Sequence, residues 1–151
     1  MTRPSASQHR RRWAKRLLVV ALVAGAWPAF VLGTVYTMTL RCDLPGGRHG
    51  PRDAYRHGLA SAIVAYTASP RLVEWVTDAM EGDGRGPAHR MDVHNNRVGM
   101  RIGAAAPSWN EMLRTVREAV DEGHAAGEAE IDADPQRIVW LPRDRWSERA
   151  F

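Results

Sequence analysis

Two short stretches concentrate the residues that could do chemistry. Asp53-Ala54-Tyr55-Arg56-His57 sets a carboxylate and an imidazole four positions apart, with a guanidinium beside them. Met91-Asp92-Val93-His94-Asn95-Asn96 sets a carboxylate, an imidazole and two carboxamides in consecutive positions broken only by Val93. On a helix, residues three or four apart share a face. If both stretches are helical and pack together, His57, Asp92 and His94 could converge with one or both asparagines. Imidazole and carboxylate donors suit zinc, iron or manganese, so His57, Asp92 and His94 are the candidate ligands of a divalent metal. Asn95 and Asn96 could position water or a substrate oxygen, and Arg56 could neutralise an anionic group. A bound metal lowers the pKa of its water to about 7, which makes metal-assisted hydrolysis the chemistry to expect. Without metal, Asp53 or Asp92 paired to a histidine could serve as base and orienter. His89 is a further possible ligand. There is no Gly-x-Ser-x-Gly elbow, no cysteine with a positioned base and no phosphate loop.

The same residues have a plainer reading. Asp53 and His57 could form a local helical pair contributing a few tenths of a kcal/mol. Asp92 could cap a helix, and Asn95 and Asn96 could tie helices together, because buried amides must be hydrogen-bonded. His94 lies on an apolar stripe, where a satisfied core histidine is common. His9, His49 and His124 are expected to face solvent.

The elements that must position these residues follow from periodicity. Residues 53–69 read as a helix with Tyr55, Leu59, Ala62, Ile63 and Tyr66 on one face, and with small residues at Gly58, Ala60, Ser61 and Ala65 that allow close approach. Ser69-Pro70 reads as an N-cap followed by proline at the first helical position. That helix should reach about residue 80, with Leu72, Val73, Val76 and Met80 inward. Residues 82–87 are a glycine-rich loop. A third helix is expected over 91–105: Met91, His94, Val98 and Ile102 form one stripe, and Asp92, Asn96, Gly99 and Gly103 the next. Ser108-Trp109-Asn110-Glu111 has the form of a capping box. The fourth helix, with Met112, Leu113, Val116 and Val120 inward, should run to about residue 126. Residues 137–141 are β-branched and aromatic and stop at Pro142, as a short extended segment would. Four helices joined by short loops predict an all-α fold, a compact bundle.

Charge and hydropathy divide the 151 residues further. Six of the 21 basic residues precede residue 17, leaving 15 against 17 acidic ones in the remainder. The pI near 10 is thus a property of the tail, and the domain has no basic face for nucleic acid. Residues 17–40 are uncharged, and a helix needs about 20 apolar residues to cross the hydrocarbon core. The expected organisation is a basic tail (1–16), a transmembrane anchor (17–40), a linker (41–52), a helical domain (53–127) and a C-terminal tail packed on it (128–151). The basic flank places the N-terminus in the cytoplasm and the domain outside, on a bacterial inner membrane. The alternative is export after signal cleavage near Ala24-Gly25-Ala26, or by the twin-arginine route whose signal Arg10-Arg11-Arg12-Trp13-Ala14-Lys15 loosely resembles. Arg41 before Cys42 argues against a lipoprotein. Cys42 is the single cysteine, so no internal disulfide forms.

The two chemical stretches together resemble a bacterial domain family of uncharacterised function. Its members carry a helix like DAFRHAYW and a later MDLHNNxxG element. They occur as small secreted or membrane-anchored proteins and in exported, toxin-like proteins. The resemblance covers about residues 50–127. It implies an all-α fold and a polar cluster of Arg56, His57, Asp92, His94, Asn95 and Asn96, with no established reaction. Members tend to have a His-Glu pair between the motifs; Met80-Glu81 stands there in this chain.

The expectation is a membrane-tethered extracytoplasmic domain whose cluster forms a metal-dependent, hydrolase-like site, zinc being one suitable metal. Its competitor is a non-catalytic cell-envelope module, binding a protein or small molecule, in which the cluster is a structural hydrogen-bond network. An effector or toxin role rests on family context alone.

Overall fold

A computed structural model describes residues 6–81 and 84–147. The side chains of residues 78–81 lie outside that description, and with them the expected inward packing of Met80 and any role of Glu81. The chain divides into two compact units, Met1–Thr34 and Val35–Phe151.

The first helix, α1 (Ala6–Arg41), continues through Pro28. Within it, Lys15–Arg41 is long and apolar enough to cross a membrane. A cleaved export signal would have the same character. Leu17, Val19, Val20, Phe30 and Leu32 are exposed, as lipid-facing residues would be.

The second unit is all-α apart from one short parallel pairing. Its helices are α2 (Pro51–Thr67), α3 (Pro70–Glu81), α4 (Pro87–Ala105) and α5 (Trp109–Asp121). Proline opens α2, α3 and α4, where its missing N–H would have had no helical partner anyway. Ser69 Oγ accepts the Leu72 N–H at 3.3 Å, and Ser108 Oγ accepts that of Glu111 at 3.3 Å. Only half of the expected capping box forms, because the Glu111 carboxylate turns to Arg114. α4 begins four residues before the expected 91.

α2 and α4 meet without intervening side chains. A methyl group on Gly99 would overlap the Gly58 carbonyl, and one on Gly103 would overlap that of Ala62. Beside these contacts, Ser61 Oγ donates to Asn96 Oδ1 at 3.0 Å. From Gly58 opposite Gly99 to Ala62 opposite Gly103 both helices advance by four residues, so α2 and α4 run in the same direction, with α3 on the crossover between them. Leu59, Ile63, Met91, Met112, Val116 and Val120 fill the core.

The helix expected to reach residue 126 stops at Asp121. β1 (His124–Ala125) then pairs in parallel with β2 (Val139–Trp140). The Ala126 N–H goes to the Trp140 carbonyl at 2.8 Å, so backbone that could have extended α5 is taken by the returning tail. Gly123 permits the crossing: a Cβ there would lie 2.5 Å from the Trp140 ring. The tail completes the core, with Ile131, Val139 and Leu141 packed on Met91 and Ala126.

Residues 42–50, expected as a linker, are tied to the bundle. The Leu141 N–H donates to the His49 carbonyl at 2.9 Å, and the Ser147 N–H to that of Arg48 at 3.1 Å. Trp146 lies over Gly46 and Gly50, and its indole N–H donates to the Leu141 carbonyl at 2.6 Å.

Candidate functional site

The α2–α4 register that joins Ser61 to Asn96 places His57 opposite Asp92 one turn nearer the N-terminal ends. His57 Nε2 lies 3.5 Å from Asp92 Oδ1 and 3.7 Å from Asp53 Oδ1. Asp53 is one turn before His57 on α2. One donor atom from each of Asp53, His57 and Asp92 lies within 4.8 Å of the others. No other group of three such donors occurs among the described residues.

These separations can be compared with what a metal requires. Ligand bonds of about 2.0–2.2 Å at tetrahedral angles put neighbouring donors about 3.4 Å apart. Both histidine–carboxylate distances are close to that. One imidazole and two carboxylates form a mixed nitrogen and oxygen set that suits zinc, manganese or iron(II), with water completing the shell. The side chain of Asp53 is 3% exposed, while those of His57 and Asp92 are 19% and 17% exposed, so water reaches one side of the group.

Two neighbours shape the group. Arg56 is ion-paired with Asp53, and its guanidinium is 3.3 Å from His57 Nε2. The His49 N–H donates to Asp53 Oδ2 at 2.7 Å, which fixes that carboxylate from the loop side. His49 has a φ of 68°, a left-handed conformation uncommon outside glycine. Its N–H and C=O are both engaged, with Asp53 and Leu141, and these two bonds hold the residue there. Expected to face solvent, His49 is instead half-buried, with Nδ1 3.9 Å from Asp53 Oδ2.

The other expected site residues go elsewhere. His94 is buried; its Nε2 is 2.8 Å from the Arg137 carbonyl oxygen, and its Nδ1 is 3.7 Å from Asp132. Asn95 is fully buried and engages Val139 twice, Nδ2 donating to its carbonyl at 2.8 Å and Oδ1 accepting its N–H at 3.0 Å. Asn96 is committed to Ser61. Of the polar residues from Asp92 to Asn96, only Asp92 faces the cluster; the other three fasten α4 to the tail and to α2. His89, in the first turn of α4, is not in the donor group.

Asp53 is the donor that the proposed ligand set lacked. Its spacing from His57 was legible, but nothing in the sequence ranked it above His94 as a ligand. The part played by His49 depends on the turn before α2, which helical spacing does not describe.

A groove lies apart from this group. It is an apolar hollow of about 620 Å³ between the C-terminal end of α4, the start of α5 and the tail, lined by Val98, Ile102, Ala106, Pro107 and Pro135, with Arg101 at its edge. Glu111 and Thr115 also line it, and none of Asp53, His57 and Asp92 does.

No curated protein and no solved structure matched the chain. A family model did, over residues 34–124, which takes in the end of α1, all four helices of the second unit and every member of the donor group. On that match the chain belongs to the family defined by the domain of unknown function DUF6973.

Proposed function

We propose that the protein is a membrane-tethered, extracytoplasmic domain that binds one divalent metal ion through Asp53, His57 and Asp92 and uses it for hydrolysis. The observation that carries this reading is the donor separation: one imidazole nitrogen 3.5 and 3.7 Å from two carboxylates, all three donors within 4.8 Å of one another, on helices held in register by Gly99 and Gly103. The ion would lower the pKa of its water to about 7 and supply hydroxide at neutral pH. Arg56, released from Asp53 when the ion takes over that charge, would face an anionic substrate group. His94, Asn95 and Asn96 act as positioning residues, because they fix α4 against α2 and the tail.

One observation favours a second reading. Arg56 already supplies a cation to the cluster through Asp53 and lies beside His57. In that reading the group is a closed ionic network in a non-catalytic cell-envelope module.

Hydrolysis separates the two. The full chain in detergent, loaded in turn with zinc, manganese and iron(II), is assayed on nitrophenyl carboxyl esters, phosphomonoesters and phosphodiesters. The metal reading predicts turnover that rises through about pH 7, is lost on chelation and falls by about 100-fold or more in Asp92→Ala. Hydrolysis unchanged by Asp92→Ala, or absent with every metal, would favour the network.

A further inference from the structure

We infer that the face carrying Arg48, Arg143 and Arg145 rests on anionic phospholipid headgroups of the membrane that holds α1, an inference that depends on α1 being an uncleaved anchor. The first observation is the length of chain. Arg48 is seven residues beyond Arg41, where the apolar helix ends. Fully extended, seven residues reach at most about 25 Å. The actual path is shorter, because Arg52 bonds back to Leu44 and Pro45, at 3.1 and 3.3 Å, and closes the segment into a turn. However the domain is oriented, Arg48 stays near the interface.

The second observation is that the tail returns to this place. The Ser147 N–H donates to the Arg48 carbonyl, and Trp146 lies over Gly46 and Gly50. The short 3-10 turn Arg143–Arg145 thereby brings two more guanidinium groups to the same loop. Arg41, Arg48, Arg143 and Arg145 are all exposed, and none has a carboxylate partner among the described residues. Asp144 is the one acid within the turn, and nearby Asp43 is already held by Arg117 at 2.7 Å.

The third observation is where these unpaired groups stand in the chain. Several arginines elsewhere are neutralised: Arg114 by Glu111 and Glu118, Arg117 by Asp121 and Asp43, Arg90 by Asp132, Arg137 by Asp134. Arg71, Arg85, Arg97 and Arg101 are exposed without such a partner among the described residues, but they belong to α3, the turn before α4 and α4, not to the loop that follows the apolar helix. Unpaired basic residues at the end of a membrane helix are placed to meet anionic headgroups, whose field extends about one Debye length, roughly 8–10 Å. His49, which fixes Asp53, belongs to the same loop, so headgroup contact would put the candidate metal centre close to the bilayer surface.

The test is hydrogen exchange on the full chain in nanodiscs of phosphatidylcholine alone and with about one-third phosphatidylglycerol. With the anionic lipid, amides of residues 44–50 and 141–147 should exchange about tenfold more slowly, the slowing should vanish in 0.5 M salt, and it should be absent in the triple variant Arg48→Gln, Arg143→Gln, Arg145→Gln. Amides of α2 and α4 report that the variant is folded. Retention in the discs with equal exchange in both lipids would overturn this inference and leave the anchor standing. A chain that does not stay in the discs would overturn the anchor and the inference together.

Discussion

Asn95 commits both ends of its carboxamide to one residue, Val139, at 2.8 and 3.0 Å in the buried core. Asn95→Leu would leave the Val139 N–H and C=O without partners away from water, at about 1–3 kcal/mol each. We expect a loss of about 2–5 kcal/mol on chemical denaturation, well above the cost of an exposed polar substitution. Tyr55 makes a pH prediction. It is buried, and burial, the largest cause, raises its phenol pKa above the ordinary value near 10, with nearby Cys42 adding to the rise. The folded state disfavours the phenolate, so the stabilisation is complete below pH 10 and is lost as pH rises above it. Stability should therefore fall steeply on the alkaline side in the wild-type protein and less steeply in Tyr55→Phe. At Asp132 the sign is opposite. The Arg90 guanidinium bonded to it, chiefly, and the adjacent His94 and Arg97 hold its carboxyl below the usual carboxylate range. Its contribution is present above about pH 4 and disappears as acid protonates it; the pair is exposed, so that contribution is small.

At the scale of elements, the crossing of α2 and α4 decides whether a site exists. Gly99 and Gly103 admit the Gly58 and Ala62 carbonyls where any Cβ would collide with backbone. Gly99→Ala must push the helices apart, which separates His57 from Asp92. We expect it to cost about 3 kcal/mol or more, at the upper end for overpacking, and to abolish metal binding together with stability. Gly33→Ala, where nothing lies within 4 Å, should leave both unchanged and serves as the control. The tail is as necessary. Truncation after residue 126 removes Ile131, Val139 and Leu141 from Met91 and strips the partners of His94 and Asn95. The remaining helices should lose their cooperative thermal transition, read by circular dichroism.

On the scale of the molecule, the second unit's architecture was legible because helical periodicity and proline or serine starts are local signals. The apolar span was legible from its length, and the small residues of α2 announced close packing. What escaped was set by distant partners. Local sequence does not tell that α5 ends at residue 121 because Trp140 comes back across Gly123. It also does not say which of the four polar side chains Asp92, His94, Asn95 and Asn96 on α4 face α2 and which face the tail. A helical step of 100° per residue turns Asp92 toward His57 and His94 toward Arg137, so the choice of His94 over Asp53 depended on a rotation that only the packed structure fixes.

The central claim is that Asp53, His57 and Asp92 hold a metal ion. The direct measurement is the metal content of the full chain, purified in detergent without chelator, by mass spectrometry, with His57→Ala, Asp92→Ala and His94→Gln beside it. We expect about one zinc, manganese or iron per chain, loss of the metal in the first two variants with helical content unchanged, and retention in the folded fraction of His94→Gln. A metal-free wild-type protein, or an ion that survives both His57→Ala and Asp92→Ala, would contradict it.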